Sequence, residues 1–183
     1  MITPARATLA SLGEVTQLAY VPRDIDAALR FWTQSIGAGP FFRNPRAQVE
    51  DVTYYGRPSD VEFRTVIGYW GDLQIELVEQ LNDAPSIYKD WLDGGFEGLH
   101  HVCILVEDMK PARAAGMAAG ARSAMEGRIA GGQGEFIYFD TGGGPGSMVE
   151  IVRPGPALRE AFAMMREASR GWDGSDPVRS RGT

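Results

Sequence analysis

One order of elements occurs twice in this chain, and it limits the fold more than any other feature. From Val15 the pattern reads strand, helix, then three strands, and from Leu99 the same order returns. The parallels extend to local sequence. Gln17-Leu18-Ala19-Tyr20-Val21 stands in the first unit where His101-Val102-Cys103-Ile104-Leu105 stands in the second, and Gln74-Ile75-Glu76-Leu77-Val78 matches Met148-Val149-Glu150-Ile151-Val152. Two copies of a long unit mean an internal duplication, since solenoids stack shorter repeats in larger number. The expected class is α+β, built from two βαβββ modules.

In the first unit, the β-forming run Val15–Val21 ends at Pro22, and Asp24 caps a helix over 25–36 whose apolar residues Ile25, Ala28, Leu29, Trp32 and Ile36 recur at helical spacing. Gly37 and Gly39 stop that helix. The stretch 40–56 is less regular and is expected to hold one short strand. Val61–Trp70, Gly71-Asp72 and Leu73–Glu79 read as a hairpin with a glycine-first turn. Ser86 or Asp83 caps a short helix over 87–92. In the second unit a strand at 101–106 leads through Asp108 to a small-residue helix over 111–119, then a strand near 122–127. A last hairpin pairs 134–140 with 148–152 across the glycine-rich Thr141–Gly146. The divisions expected are a leader at 1–14, modules at 15–97 and 98–153, and a C-terminal helix with a mobile tail at 154–183. The helix, 157–169, carries Leu158, Ala161, Phe162 and Met165 on one side, an apolar face for packing or for a homodimer.

At 183 residues, 44% hydrophobic and 23% charged, the chain has the balance of a soluble globular protein, and no stretch approaches the ~20 apolar residues of a membrane span. A net charge of −6 speaks against a nucleic-acid surface, which needs clustered Lys and Arg. The lone Cys103 cannot form an internal disulfide, which fits a cytoplasmic location. Thr141–Gly146 lacks the Lys-Ser/Thr ending and following helix of a phosphate loop, so it is a turn.

Both histidines of the chain, His100 and His101, are adjacent at the head of a β-branched run, so histidine chemistry is confined to that place. Alternation along a strand sends one to each face. His101 aligns with Gln17 in the repeat, and His100 is expected on the opposite face. Glu76 and Glu150 interrupt apolar strands. A carboxylate there is either solvated or turned into a cavity where a cation offsets its burial. Strand parity places Tyr69 and Ile67 on the face of Glu76, and Tyr54 and Phe42 are candidates for the wall of an apolar substrate pocket.

The paired units, the Gly-Leu-His-His-Val run, Val-Pro-Arg-Asp-Ile-Asp-Ala-Ala before the first helix and the two Glu-bearing strands resemble the vicinal oxygen chelate superfamily. That group includes glyoxalase I, methylmalonyl-CoA epimerase, extradiol dioxygenases and bleomycin-resistance proteins. The resemblance spans about 15–153 and is closest to the glyoxalase and epimerase branch. It implies a curved mixed sheet around a metal-binding cavity. It also implies a divalent ion held by Gln17, Glu76, His101 and Glu150, a set that suits zinc, nickel, cobalt or manganese.

The activity so implied is a metal-dependent lyase or isomerase. Its substrate would be small, rather apolar and bear vicinal oxygens; an enolate would be stabilised while a carboxylate moves the proton, Glu150 first and Glu76 second. The epimerase's second catalytic Glu has Ile67 at the comparable position here, which speaks against two-base epimerisation. An extradiol dioxygenase needs two ligand histidines and a further acid–base histidine, which this chain does not have to give. The alternative from another class is a protein of the same fold that sequesters a small molecule without chemistry.

Overall fold

The computed structural model describes residues 8–180, and the first half of the expected leader lies outside them. β1 (Gln17–Val21) leads to Asp24, whose carboxylate accepts from the Ala27 amide at 2.9 Å and starts α1 (Ile25–Arg30). The helix widens into a π-helical turn over Phe31–Ile36 and stops at Gly37, whose φ of 77° suits glycine. β2 (Phe41–Asn44), β3 (Val49–Tyr54) and β4 (Arg57–Pro58) precede the hairpin β5 (Phe63–Trp70) and β6 (Leu73–Gln80). α2 (Ile87–Asp93) is capped by Ser86, which accepts from the amides of Tyr88 and Lys89. The second round is β7 (Gly98–Leu105), α3 (Met109–Ala118), β8 (Arg122–Ile129), β9 (Gly134–Asp140) and β10 (Met148–Pro154), followed by α4 (Pro156–Ser169) and β11 (Val178–Ser180).

All the strands form one mixed, curved and unclosed sheet in the order β11-β2-β5-β6-β1-β7-β10-β9-β8-β3-β4. The two units lie edge to edge. β1 and β7 meet antiparallel, with Gln17 opposite Cys103 and Ala19 opposite His101, and each is flanked by a parallel strand of its own unit, β6 and β10. Alternation divides the strand residues cleanly. Leu18, Tyr20, Ile75 and Leu77 pack under α1, while Ile104, Ile137, Phe139 and Ile151 pack under α3. Gly116 lets α3 approach the sheet, for a Cβ there would stand 2.3 Å from the Phe139 ring. The other, concave face is lined by Val21, Val78, Cys103 and Val152, with Ile87 and Tyr88 of α2 packed against them.

Two expectations change, and a third is decided in favour of packing. The irregular stretch 40–56 holds two strands, and they part company: β2 pairs with β5 of its own unit, whereas β3 crosses to β8 of the other. The end expected to be mobile contributes β11, which pairs in parallel with β2, while Trp172 packs on Gly39. The apolar face of α4 is used within the chain, where Ala161, Phe162, Met165 and Ala168 cover Phe42, Ile67 and Tyr69 of the concave face.

Candidate metal centre

Two adjacent rows of residues cross the concave face. One runs Gln74, Gln17, Cys103, Glu150 and Tyr138 over β6, β1, β7, β10 and β9; the next runs Ile67, Glu76, Ala19, His101 and Met148. Ala19 sits between Glu76 and His101 with nothing beyond Cβ to fill the space. Glu76, His101 and Glu150 each bring one ligand atom to within 4.8 Å of the others. His101 Nε2 lies 3.4 Å from Glu150 Oε2 and 3.8 Å from Glu76 Oε2.

All three side chains are buried, as is Gln17. Gln17 Nε2 donates to Gln74 Oε1 at 2.5 Å, and Gln74 Nε2 donates to the Tyr69 hydroxyl at 2.8 Å, so the amide orientation is set. That leaves Gln17 Oε1 buried without a partner, and His101 Nε2 is likewise buried without one. An orphaned amide oxygen and an orphaned imidazole nitrogen, with two buried carboxylates, fit a divalent cation: an amide and a ligating imidazole are uncharged donors, and the two carboxylates balance the ion. Without a cation the carboxylates repel each other. Burial, reinforced by Glu150, raises the Glu76 carboxyl well above the usual range, so Glu76 holds a proton more firmly than a solvated glutamate does.

The cluster lies at the side of a cavity of about 120 Å3 whose wall is largely apolar. Phe63, Ile67, Phe136 and Val152 come from the sheet, while Leu158 and Phe162 reach in from α4. Tyr88 and Tyr138 add two hydroxyls, 3.0 Å apart and hydrogen-bonded to each other, and burial raises both phenols, with Glu150 adding to the effect. α4 is tied at its start by Arg159 to Glu107 at 2.9 Å and, through the following residues, by the Phe41 amide donating to Pro177 O at 2.9 Å.

Of the residues proposed as metal ligands, Gln17, Glu76 and Glu150 line this cavity, and His101 forms a cluster with the two carboxylates. Among the residues proposed for the pocket, Ile67 lines it. Phe42 and Tyr69 are buried under α4 instead, and Tyr69 faces a neighbouring cleft with Gln74 and Arg166. Tyr54 stands apart from the cavity: β3 pairs with β8, and the Tyr54 hydroxyl donates to Asp90. His100 departs from its expected place on the opposite face. The β1–β7 register slips between Ala19 and Tyr20, so that Leu99 pairs with Tyr20 and His100 is the bulged residue. Both histidines are consequently buried and touch, Nδ1 to Nδ1, at 2.9 Å. Burial, then the neighbouring His101, push His100 down to about 3. Sequence reasoning missed Tyr88, Tyr138 and the α4 side chains.

The family model described as the Glyoxalase/Bleomycin resistance protein/Dioxygenase superfamily matches residues 16–139. Among similar solved structures, methylmalonyl-CoA epimerase from Mycobacterium tuberculosis has a TM-score of 0.55 at 16% identity, covering 87% of this chain and 97% of its own. A hypothetical protein from Bacillus halodurans C-125 gives 0.53 at 18%, covering 78% and 95%. A variant of Streptomyces coelicolor methylmalonyl-CoA epimerase in complex with 2-nitronate-propionyl-CoA gives 0.53 at 18%, covering 79% and 99%. At these identities the likeness concerns the fold alone. No curated protein matches the chain.

Proposed function

The chain belongs to the Glyoxalase/Bleomycin resistance protein/Dioxygenase superfamily, and from that membership and its site we propose a metal-dependent isomerase or lyase acting on a small, rather apolar substrate with vicinal oxygens. One observation carries the reading: two buried carboxylates and a partnerless imidazole nitrogen converge within 4.8 Å beside an apolar cavity. A protein that merely sequesters an apolar ligand has no use for two desolvated carboxylates, which cost stability unless a cation or a proton offsets them.

Gln17, Glu76, His101 and Glu150 are the residues that would hold a divalent cation. Bound there, such an ion supplies Lewis acidity to a developing enolate. Glu150 takes the proton from the carbon beside the substrate carbonyl, with Glu76 the second candidate base. Ile67 stands directly opposite Glu76 on β5, and among the described residues lining the cavity the carboxylates are Glu76 and Glu150. Proton removal and return therefore fall to this pair, on one side of the substrate, rather than to bases on both sides. His100 meets His101 through Nδ1 and the Ile87 carbonyl through Nε2, so it offers the site no second imidazole ligand of the kind an extradiol dioxygenase requires.

The size of the cavity suits a small substrate. Sites that enclose drug-sized ligands run to roughly 300–1,000 Å3. Here Leu158 and Phe162 are among the residues that line a cavity of about 120 Å3, a volume suited to a small reacting group. The test uses chelator-stripped protein reloaded with zinc, nickel, cobalt or manganese and offered a panel of small α-hydroxy carbonyl compounds, with conversion followed by NMR. Metal-dependent conversion that falls by about 10²-fold or more in Glu150→Gln supports the reading. Binding without conversion, indifferent to metal, overturns it in favour of sequestration.

A further inference from the structure

We infer that His100 is a positioning residue: it fixes the proton of His101 on Nδ1 and thereby keeps His101 Nε2 bare at the metal centre. The inference rests on His101 being a ligand only for its second experimental arm, since its first concerns the two rings alone.

A carbonyl oxygen can only accept a hydrogen bond. His100 Nε2 lies 3.4 Å from Ile87 O, so it carries the ring proton. A neutral imidazole has one N–H, and His100 Nδ1 is therefore a lone pair. His101 Nδ1, 2.9 Å away, must be the donor in that contact. A neutral His101 protonated at Nδ1 has its lone pair on Nε2, the atom that points at Glu76 and Glu150 and finds no hydrogen-bond partner. In the opposite arrangement His101 Nε2–H faces Glu150, His100 Nδ1–H is the donor, and His100 Nε2 sets a lone pair against the Ile87 carbonyl oxygen. That arrangement gives up the His100–Ile87 hydrogen bond, sets a lone pair against the carbonyl, and presents an N–H toward Glu150 where a ligand to a cation must present a lone pair.

The fold holds the relay in place. The bulge at Ala19/Tyr20 turns His100 to the side of His101. The His100 ring then packs edge-on to Trp91, with centroids 5.2 Å apart, and tilted to Tyr88 at 5.7 Å, while His101 packs edge-on to Tyr138 at 4.9 Å. Hydrogen bonds that fix the tautomer and orientation of a ligating histidine typically change metal affinity by about 10–100-fold when removed.

Because the chain has two histidines, long-range 1H–15N correlation of histidine-labelled, chelator-treated protein at pH 8 reads both tautomers directly. His100→Gln, which leaves one histidine, assigns the signals. The expected result is a proton on Nδ1 of His101 and on Nε2 of His100; a proton on Nε2 of His101 overturns the proposal. In the second arm zinc affinity is measured by competition with a chelator. His100→Leu, which cannot accept, should bind about 10–100-fold more weakly, whereas His100→Gln, whose amide oxygen can accept, should stay near wild type. Equal affinity in His100→Leu and wild type also overturns the relay. Wild-type protein that binds no zinc counts against the ligand reading instead, and the tautomer measurement still decides the relay.

Discussion

Replacing Glu76 by Gln should stabilise the metal-free protein at neutral to alkaline pH, although it removes a buried side chain's native chemistry. The magnitude follows from the geometry. Two unit charges 4.8 Å apart repel by about 3.5 kcal/mol at an effective dielectric constant of about 20. The folded protein evades part of this by keeping Glu76 protonated, at the cost of holding that proton against an alkaline solvent. The sign is set by a folded-state pKa raised above the unfolded one. Stability from the protonated carboxyl is complete below the usual value of 4.5 and is lost as pH climbs from there through the raised value, at up to about 1.4 kcal/mol per pH unit. Glu76→Gln abolishes the loss. Urea or thermal melts in chelator should therefore show the variant and wild type converging near pH 4.5. By pH 8 the variant should lead by up to about 3 kcal/mol, roughly 6–12 °C in a chain of this size. A variant equal to or less stable than wild type at pH 8 would refute the account of two buried, mutually repelling carboxylates.

Three more outcomes follow from packing and burial. Leu158→Ala, on the roof of the cavity, should cost about 2–3 kcal/mol in urea unfolding and admit bulkier vicinal-oxygen chelators such as benzohydroxamate to metal-loaded protein, which calorimetry reads. Gly116→Ala should destabilise by about 1–3 kcal/mol despite alanine's better helix propensity, because its Cβ would meet the Phe139 ring at 2.3 Å; a gain in midpoint would show that α3 can lift off freely. Cys103 is buried, and its surroundings, burial first and then Glu150, push the thiol well above its usual range, so it should react with a disulfide reagent at pH 8 only after unfolding.

The sequence spoke most clearly where neighbours in the chain are also partners in space. The β5–β6 hairpin, the Asp24 and Ser86 caps and the β9 and β10 strands follow from local alternation and from turn and capping residues. β3 and β11 were hidden because their partners, β8 and β2, lie far off in sequence, and that same pairing carries Tyr54 away from the cavity. At the site, the family resemblance supplied Gln17, Glu76, His101 and Glu150, and the duplicated register agrees with it, because the two units repeat each other's parity. It failed for His100, since strict alternation cannot foresee a bulge that one strand acquires from its partner. Tyr138 sits opposite Glu150 across β9 and β10, but the irregular glycine-rich loop between those strands leaves their register open to any sequence argument. Leu158 and Phe162 read as a generic apolar face until the course of α4 over the concave sheet is known.

The most direct test of the central claim is the binding of one divalent ion per chain by the Gln17, Glu76, His101 and Glu150 set. Stripped protein titrated with cobalt(II) should saturate at one equivalent, with a visible d–d spectrum displaced by zinc, and His101→Ala should lose that high-affinity equivalent. Wild-type protein that takes up no cobalt, or His101→Ala protein that binds it with the same affinity and spectrum, would contradict the account.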